Sequence, residues 1–436
     1  MSATMNAPLA ARLVADYERA AAAWPSSRAA SARRRAAIES LTRSGLPGQR
    51  DENWKYANLR PLERLRFVPA AVAPPAILEG LPPAVAGYTR YVFVDGVFAP
   101  ALSAPLDATS AALKRLESPP EPPQAPAAPA NADERFALLN EAFATDGIDI
   151  RVAAGSANPP RLELLFVASA DAESGASYPR LELHLEPHAS LSLIERHVSA
   201  AGHEASFVNS AVRIELERGA TLSHDRLQEL GARATSFDTL SAVLAPDATY
   251  HLRTVASGAQ SARSTLHIRL AGERSYLTLA HAALGDRHQV QDAYALVEHT
   301  APRARTVETF RGIASGRARV AFNGKIVVAP GTPGTDTHQS LRGLLAGPEA
   351  EIDVRPQLEI YTDEVRCSHG ATAGKLDENM LFYLLSRGLE RESAERLMKW
   401  AFLEDVIAKI GSTELRRQVE ERLLGRLGDE ALRELL

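Results

Sequence analysis

The feature that most constrains the fold is a turn followed by a short strand, which recurs between residues 147 and 360. These turns begin at Pro187, Arg218, Pro246, Gly272, Pro302 and Pro348. By subtraction, the first four intervals are 31, 28, 26 and 30 residues, and the last contains an intermediate turn at Pro330–Gly334. A unit that repeats at tens of residues is typical of a solenoid, in which each coil buries its apolar face against its neighbours. Because strands dominate, the pattern predicts a parallel β-helix, with an antiparallel β-sandwich as the alternative.

Helical segments flank this repeat on both sides. Apolar residues recur at helical spacing over residues 8–45, and the chain again has a helical pattern after Gly374. We therefore predict three parts: an N-terminal helical region at 1–146, a β-helix core at 147–374 and a C-terminal helical domain at 375–436. The first part contains a strand pair turning at Asp95-Gly96 and a Pro-rich linker at 118–130. The apolar stripes of the C-terminal helices predict packing on the body or binding in a partner's groove.

Composition excludes several classes of function. The net charge of −5 and pI of about 6.2 provide no global basic field for nucleic acid or anionic lipid. No apolar run approaches the roughly 18–20 residues that span a membrane. The single cysteine, Cys367, excludes an internal disulfide and a self-contained iron–sulfur or zinc site with several thiolates. We expect a cytoplasmic protein, in which any such cofactor takes ligands from another chain.

Cys367 lies two residues before His369. If Glu364 to His369 is extended, the two side chains project from the same face. A thiol beside an imidazole has a lowered pKa or offers a metal two neighbouring donors. The alternative is a buried thiol beside a structural imidazole, and the residues alone leave both open. Gly370 and Gly374 are expected to bracket the end of this strand.

Trp54 and Tyr56 lie in a polar segment that follows the N-terminal helical pattern. Buried aromatic side chains usually serve packing. We therefore expect the pair to anchor this arm onto the body, with a ligand site as the alternative.

Several segments together resemble the SufD family of the SUF iron–sulfur cluster assembly machinery. They are Arg50-Asp-Glu-Asn-Trp-Lys-Tyr56, Asp336-Thr-His-Gln-Ser-Leu341, Arg366-Cys-Ser-His-Gly-Ala-Thr372, Leu384-Leu-Ser-Arg-Gly-Leu389 and Ala401-Phe-Leu-Glu-Asp-Val406. The resemblance extends from about residue 45 to 412 and is most specific over 358–410. The paralogue SufB usually carries a glutamate where this chain has Gly370, and it has more cysteines, so both differences favour SufD.

The resemblance implies a right-handed parallel β-helix core between helical regions and a non-catalytic scaffold role in a complex with SufB and the ATPase SufC. It implies that His369 shares iron with a SufB cysteine at the SufB–SufD interface, where a transient iron–sulfur cluster assembles. Cys367 matches a family cysteine near the same place. SufC is implied to dock on the C-terminal helices, where we predict contacts at Arg387, Gly388, Leu397, Ala401 and Phe402. A homodimer is an alternative assembly for the isolated chain.

The residues alone leave two other functions open. A β-helix enzyme acting on polysaccharide would need clustered Asp and Glu along one face of the solenoid, and no acidic ladder is obvious. A Cys–His hydrolase would need an activated Cys367 and an oxyanion hole.

Overall fold

The structure is a computed structural model that describes residues 9–24, 28–48, 50–71, 78, 80–116, 133–155 and 158–427. The Pro-rich linker predicted at 118–130 lies outside these residues. The helices are α1 (Leu9–Ala21), α2 (Arg28–Ser44), α3 (Arg135–Phe143), α4 (Glu378–Ser386), α5 (Arg391–Ile407) and α6 (Thr413–Leu427). The helical pattern over residues 8–45 forms two helices, α1 and α2, and not one continuous helix.

Nineteen strands are present in the described part of the chain. The first four are β1 (Thr89–Val94), β2 (Val97–Phe98), β3 (Ala112–Arg115) and β4 (Ile148–Val152). The next eight are β5 (Arg161–Ala168), β6 (Arg180–Leu185), β7 (Ser190–Ser199), β8 (Phe207–Leu216), β9 (Thr221–Glu229), β10 (Thr235–Leu244), β11 (Thr249–Ala256) and β12 (Ser261–Leu270). The last seven are β13 (Tyr276–Gly285), β14 (Val290–His299), β15 (Arg305–Ala314), β16 (Arg319–Val328), β17 (Asp336–Leu345), β18 (Glu351–Ile360) and β19 (Arg366–Gly374).

These strands build a β-solenoid of about eight turns. Odd-numbered strands from β5 to β19 stack in one sheet and even-numbered strands from β4 to β18 in the other, and neighbours within each sheet are parallel. The predicted parallel β-helix is confirmed, and the antiparallel sandwich alternative is wrong. The predicted Asp95-Gly96 turn is confirmed too, because β1 and β2 pair on either side of it. β1 also pairs in parallel with β5, so it extends the solenoid sheet.

One corner of the solenoid explains the repeat in the sequence. Each coil places one residue there with φ between 57° and 75°; these residues are His188, Gly219, Asp247, Arg274, Arg303, Gly334 and Glu364. The first six each donate a backbone N–H to a carbonyl of the next coil, at 2.8–3.2 Å. The turn at Pro330–Gly334 is therefore the corner of a full coil. Pro348, in contrast, precedes β18 in the other sheet.

The inner faces of both sheets form one apolar core. Alternate residues along the strands, such as Leu162, Leu193, Leu252 and Leu279, are almost fully buried in it. Full burial of a side chain of this size stabilises the fold by roughly 1.5–3 kcal/mol. Stacked leucine columns therefore stabilise the solenoid coil by coil.

The N-terminal arm packs on the outside of the solenoid through aromatic rings. Trp54 is buried, lies 5.3 Å from the ring of Phe136 and donates its indole N–H to Asp133. Phe136 in turn stacks on Phe237 of β10, with ring centroids 4.3 Å apart. The predicted anchoring role is confirmed for Trp54. Tyr56 is only half-buried, and cationic side chains lie over its ring.

The C-terminal helices α5 and α6 pack on the sheet of odd-numbered strands. Trp400 and Leu403 of α5 are buried in a cluster with Ile313 of β15. Arg196 of β7 donates to the amide oxygen of Gln418 in α6 at 2.7 Å. In the part of the chain that the structure describes, we find no helix long and apolar enough to cross a membrane.

Candidate functional site at the open end of the solenoid

The solenoid ends at β18 and β19. In the described residues each of these strands pairs on one side only, β18 with β16 and β19 with β17. Residues of β18 are mostly half-buried, and most residues of β19 are exposed. The outer edges therefore offer rows of N–H and C=O groups that can pair with another chain.

Cys367 and His369 both face the interior at this end. In β19, Cys367 is in register with Thr337 and His369 is in register with Gln339, and both partners are buried. The prediction that the two side chains share a face is therefore confirmed. Cys367 is half-buried against the core, whereas His369 is exposed.

The strand differs from its prediction at its start and in the place of Gly370. Glu364 has a φ of 57° at the corner, so the extended run begins at Arg366 instead. Gly370 lies in the middle of β19, and a Cβ there would meet no described atom within 4 Å. The strand ends at Gly374 as predicted.

Ser368 lies between the two site residues and points to the outer surface. Its hydroxyl lies 2.8 Å from Nδ1 of His338, which is in register on β17. This position excludes the nucleophile–base pairing of Ser368 with His369, because adjacent residues of a strand face opposite sides.

Two buried polar residues lie directly behind His369. Glu308, Gln339 and His369 occupy one column on successive strands of the sheet. The amide nitrogen of Gln339 donates to Oε2 of Glu308 at 2.8 Å and to the carbonyl of Gly324 at 3.1 Å. Burial raises the pKa of Glu308 to about 7, although the hydrogen bond from Gln339 lowers it. A Cβ on Gly324 would lie only 2.9 Å from Nε2 of Gln339, so any other residue there would have to displace this amide.

A second buried column lies behind Cys367. Thr306, Thr337 and Cys367 are in register, and the hydroxyl of Thr306 lies 2.9 Å from Nε2 of His299. Burial lowers the pKa of His299 to about 4, which keeps its imidazole neutral at physiological pH. The last three coils thus carry polar residues at positions that earlier coils fill mostly with leucine.

These residues behind the site were missed by the sequence analysis. The signal was present, since Thr306-Val-Glu308, Thr337-His-Gln339 and Cys367-Ser-His369 repeat one polar-x-polar pattern. The pattern can be interpreted only once the strand register is known, because the register shows which alternate residues point inward.

Another buried polar cluster lies deeper in the solenoid. Glu195 accepts hydrogen bonds from Arg226 at 2.8 and 2.9 Å and lies 2.7 Å from Nε2 of His197 and 3.1 Å from Nε2 of His224. Burial alone would raise the pKa of Glu195, but Arg226 and the histidines lower it well below its usual range. Within the described ranges, no three His, Cys, Asp or Glu side chains are placed to bind one metal ion.

The five residues predicted to bind SufC fall into two groups. Leu397 and Phe402 are half-buried against the cluster that joins α5 to the solenoid. Arg387, Gly388 and Ala401 are exposed. Nearby, α4 exposes three large apolar side chains: Met380 at 52%, Phe382 at 72% and Tyr383 at 51%.

Residues 166–402 match the family model described as SUF system FeS cluster assembly, SufBD core domain. Over 393 residues, the chain is 32% identical to the iron-sulfur cluster assembly protein SufD of Escherichia coli, covering 89% of this chain and 91% of that protein. The chain belongs to the SufD family. The matched region includes both open strands and the Cys367–His369 pair.

Two further relatives match this chain over most of their length. An iron-sulfur cluster assembly SufBD family protein of Synechocystis is 27% identical over 404 residues, or 89% of each chain. The protein ABCI7, chloroplastic, of Arabidopsis thaliana is 24% identical over 439 residues, or 98% of this chain and 92% of that protein. These Escherichia coli and Synechocystis relatives are both named for iron–sulfur cluster assembly.

The donor atoms at the open end are of types that bind iron. A cysteine thiolate and a neutral imidazole are both iron ligands, and iron–sulfur clusters are commonly held by several thiolates. Cys367 and His369 supply two donors between them, so a cluster at this end would need others from a second molecule.

Proposed function

We propose that this SufD-family chain is a non-catalytic scaffold subunit that pairs with SufB and holds a nascent iron–sulfur cluster between the two chains. The observation that carries the proposal is His369, an inward-facing imidazole left exposed at a position that the preceding coil buries completely. The cluster is cargo assembled at this end and not a resident cofactor. An imidazole can bind iron through one nitrogen while the other is held by a hydrogen bond.

Pairing through the open end is supported by the outer edges of β18 and β19, which pair with no other strand among the described residues. β18 and β19 present backbone donors and acceptors that a second solenoid of similar architecture can extend. A SufB cysteine would then complete the ligand set that Cys367 and His369 begin. Without SufB, we expect the same edges to pair with a second copy of this chain.

Docking of SufC is proposed at the outer face of the C-terminal helices. Exposed Phe382 of α4 lies in the same terminal region as Arg387, Gly388 and Ala401. Large apolar side chains that are exposed together commonly mark a protein interface. Leu397 and Phe402 would support this surface from beneath, because they pack on the cluster that joins α5 to the solenoid.

A location in the cytoplasm is also part of the proposal. It is supported by the single cysteine, which suits a reducing compartment. The Arabidopsis relative is named as chloroplastic, so the family is not confined to one compartment.

The two enzymatic alternatives gain no specific support. The interior carboxylates Glu195 and Glu308 are fully buried, whereas a polysaccharide would need acidic groups on an accessible face. Nothing places an oxyanion hole beside Cys367 among the contacts of the described residues.

Co-expression with SufB and SufC, followed by anaerobic purification and an absorption spectrum, tests the proposal. We expect the three chains to purify together and the complex to show the visible absorption of an iron–sulfur cluster. Purification of this chain without either partner, or a complex that never acquires that absorption, would overturn it. Activity of the purified chain on a polysaccharide or an acyl substrate would instead favour the enzymatic alternatives.

A further inference from the structure

One column of inward-facing residues changes character near the open end. In order along the sheet its members are Leu162, Leu193, His224, Leu252, Leu279, Glu308, Gln339 and His369. Leucine predominates up to Leu279, and the last three positions are polar. Burial of polar groups at positions that would otherwise hold core leucines is costly, so the two buried members, Glu308 and Gln339, need an explanation other than packing.

The amide of Gln339 has a fixed orientation. Its nitrogen donates to Oε2 of Glu308 and to the carbonyl oxygen of Gly324. Exchanging the amide nitrogen and oxygen would set two acceptors against each other at Gly324, so the assignment follows from the hydrogen bonds. Both N–H groups of the amide are therefore engaged by Glu308 and Gly324, on the side away from His369.

The oxygen of the same amide makes no hydrogen bond to a described residue. Oε1 of Gln339 is buried and has no hydrogen-bond partner among the described residues. Buried acceptors are nearly always paired, and leaving one unpaired is costly. The next residue in the column is His369, one strand spacing of about 4.8 Å further out. Its exposed imidazole is free to change rotamer on a fast timescale.

We propose that Gln339, held in place by Glu308, positions His369 by accepting a hydrogen bond from one ring N–H at Oε1. This bond keeps the neutral imidazole in a single tautomer and directs its other nitrogen, which has a free lone pair, towards the open end. Gln339 is a positioning residue and does not touch the cluster. The inference rests on the proposed function only in assigning that second nitrogen to iron.

The tautomer of His369 can be measured without iron or a partner. Full-length protein labelled with 15N-histidine is studied by long-range 1H–15N correlation at about pH 8, where an ordinary imidazole is neutral. His369→Ala identifies the signals. We expect one His369 tautomer to exceed the other by at least about tenfold in the wild type, because one hydrogen bond selects it.

Four variants separate positioning from general stability. Gln339→Met conserves volume but removes the acceptor, so both tautomers should become populated within a few-fold of each other. Glu308→Leu removes the acceptor that holds the Gln339 amide, so it should also populate both tautomers. Glu308→Gln can still accept a hydrogen bond from Gln339 and should retain the single tautomer. Gln291→Met, at another buried glutamine whose amide donates to Gly258, is the matched control and should change nothing at His369.

The outcomes distinguish this inference from the proposed function. An unchanged His369 tautomer ratio in Gln339→Met overturns the positioning role, as does an equal change in Gln291→Met. If Gln339→Met does not fold, the contrast between Glu308→Leu and Glu308→Gln decides the question. Normal cluster yield from His369→Ala in the complex would remove the proposed function and leave the tautomer result standing.

Discussion

The amide nitrogen of Gln339 donates to Oε2 of Glu308 at 2.8 Å, and both side chains are fully buried. Oε1 of Glu308 has no partner in the described part of the chain. Burial raises the pKa of Glu308 to about 7, with a partly offsetting effect of the Gln339 hydrogen bond. The solenoid therefore carries an acid that titrates near neutral pH two strands behind His369.

Glu308 should make the stability of the fold depend on pH. The unfolded chain releases this proton near pH 4.5 and the folded chain near pH 7, so Glu308 destabilises the fold increasingly as pH rises through that window. The whole effect is on the order of 3 kcal/mol. We expect the free energy of unfolding of Glu308→Gln, relative to the wild type, to increase between about pH 5 and pH 8 in urea titrations. Parallel pH profiles for the two proteins would contradict the raised pKa.

Trp54 should matter more for stability than its neighbour Tyr56. Trp54 is buried against Phe136 and donates to Asp133, whereas Tyr56 is half-buried beneath cationic side chains. We expect Trp54→Ala to lower the free energy of unfolding by about 3–5 kcal/mol. Tyr56→Ala, the control, should cost about 1 kcal/mol or less. Denaturant unfolding measures both, and equal losses would argue against Trp54 as the anchor of the arm.

A charge on the exposed face of α4 should disrupt docking of SufC without unfolding the chain. We expect Phe382→Glu to lower co-purification of SufC at least about tenfold, because a buried interfacial charge is costly. The thermal unfolding midpoint should stay unchanged, since Phe382 is 72% exposed. Ala232→Glu adds the same charge to an exposed solenoid turn and is the control. Undiminished SufC recovery with Phe382→Glu would place the docking surface elsewhere.

Much of the fold could be predicted from the sequence because a solenoid repeats its local chemistry. Turn residues such as Pro187 and Gly272 recur once per coil, and the corner needs one left-handed residue each time. The turn signal therefore recurs at intervals of about 30 residues, which is the length of one coil. It was less evident that each coil contains two strands. The turn at Pro348 precedes a strand of the even-numbered sheet, but in the sequence it resembles the turns that precede odd-numbered strands.

The candidate site could be predicted only in part. Cys367 and His369 were identifiable because their spacing alone places them on one face of a strand. Glu308 and Gln339 could not be assigned, because nothing local says which alternate residues of a strand are buried. The mutual positions of Glu195, His224 and Arg226 likewise depend on register across coils about 30 residues apart. Long-range register is fixed by stacking of the coils and not by local sequence.

The central claim is that His369 supplies a ligand at an interface completed by SufB, and its most direct test is cluster yield in the reconstituted complex. His369→Ala is compared with His338→Ala, which removes an exposed imidazole from the outer face of the neighbouring strand. We expect His369→Ala to assemble with SufB and SufC but to lower the cluster absorption at least about tenfold under anaerobic conditions. His338→Ala should retain the wild-type absorption. Wild-type cluster yield from His369→Ala would contradict the account.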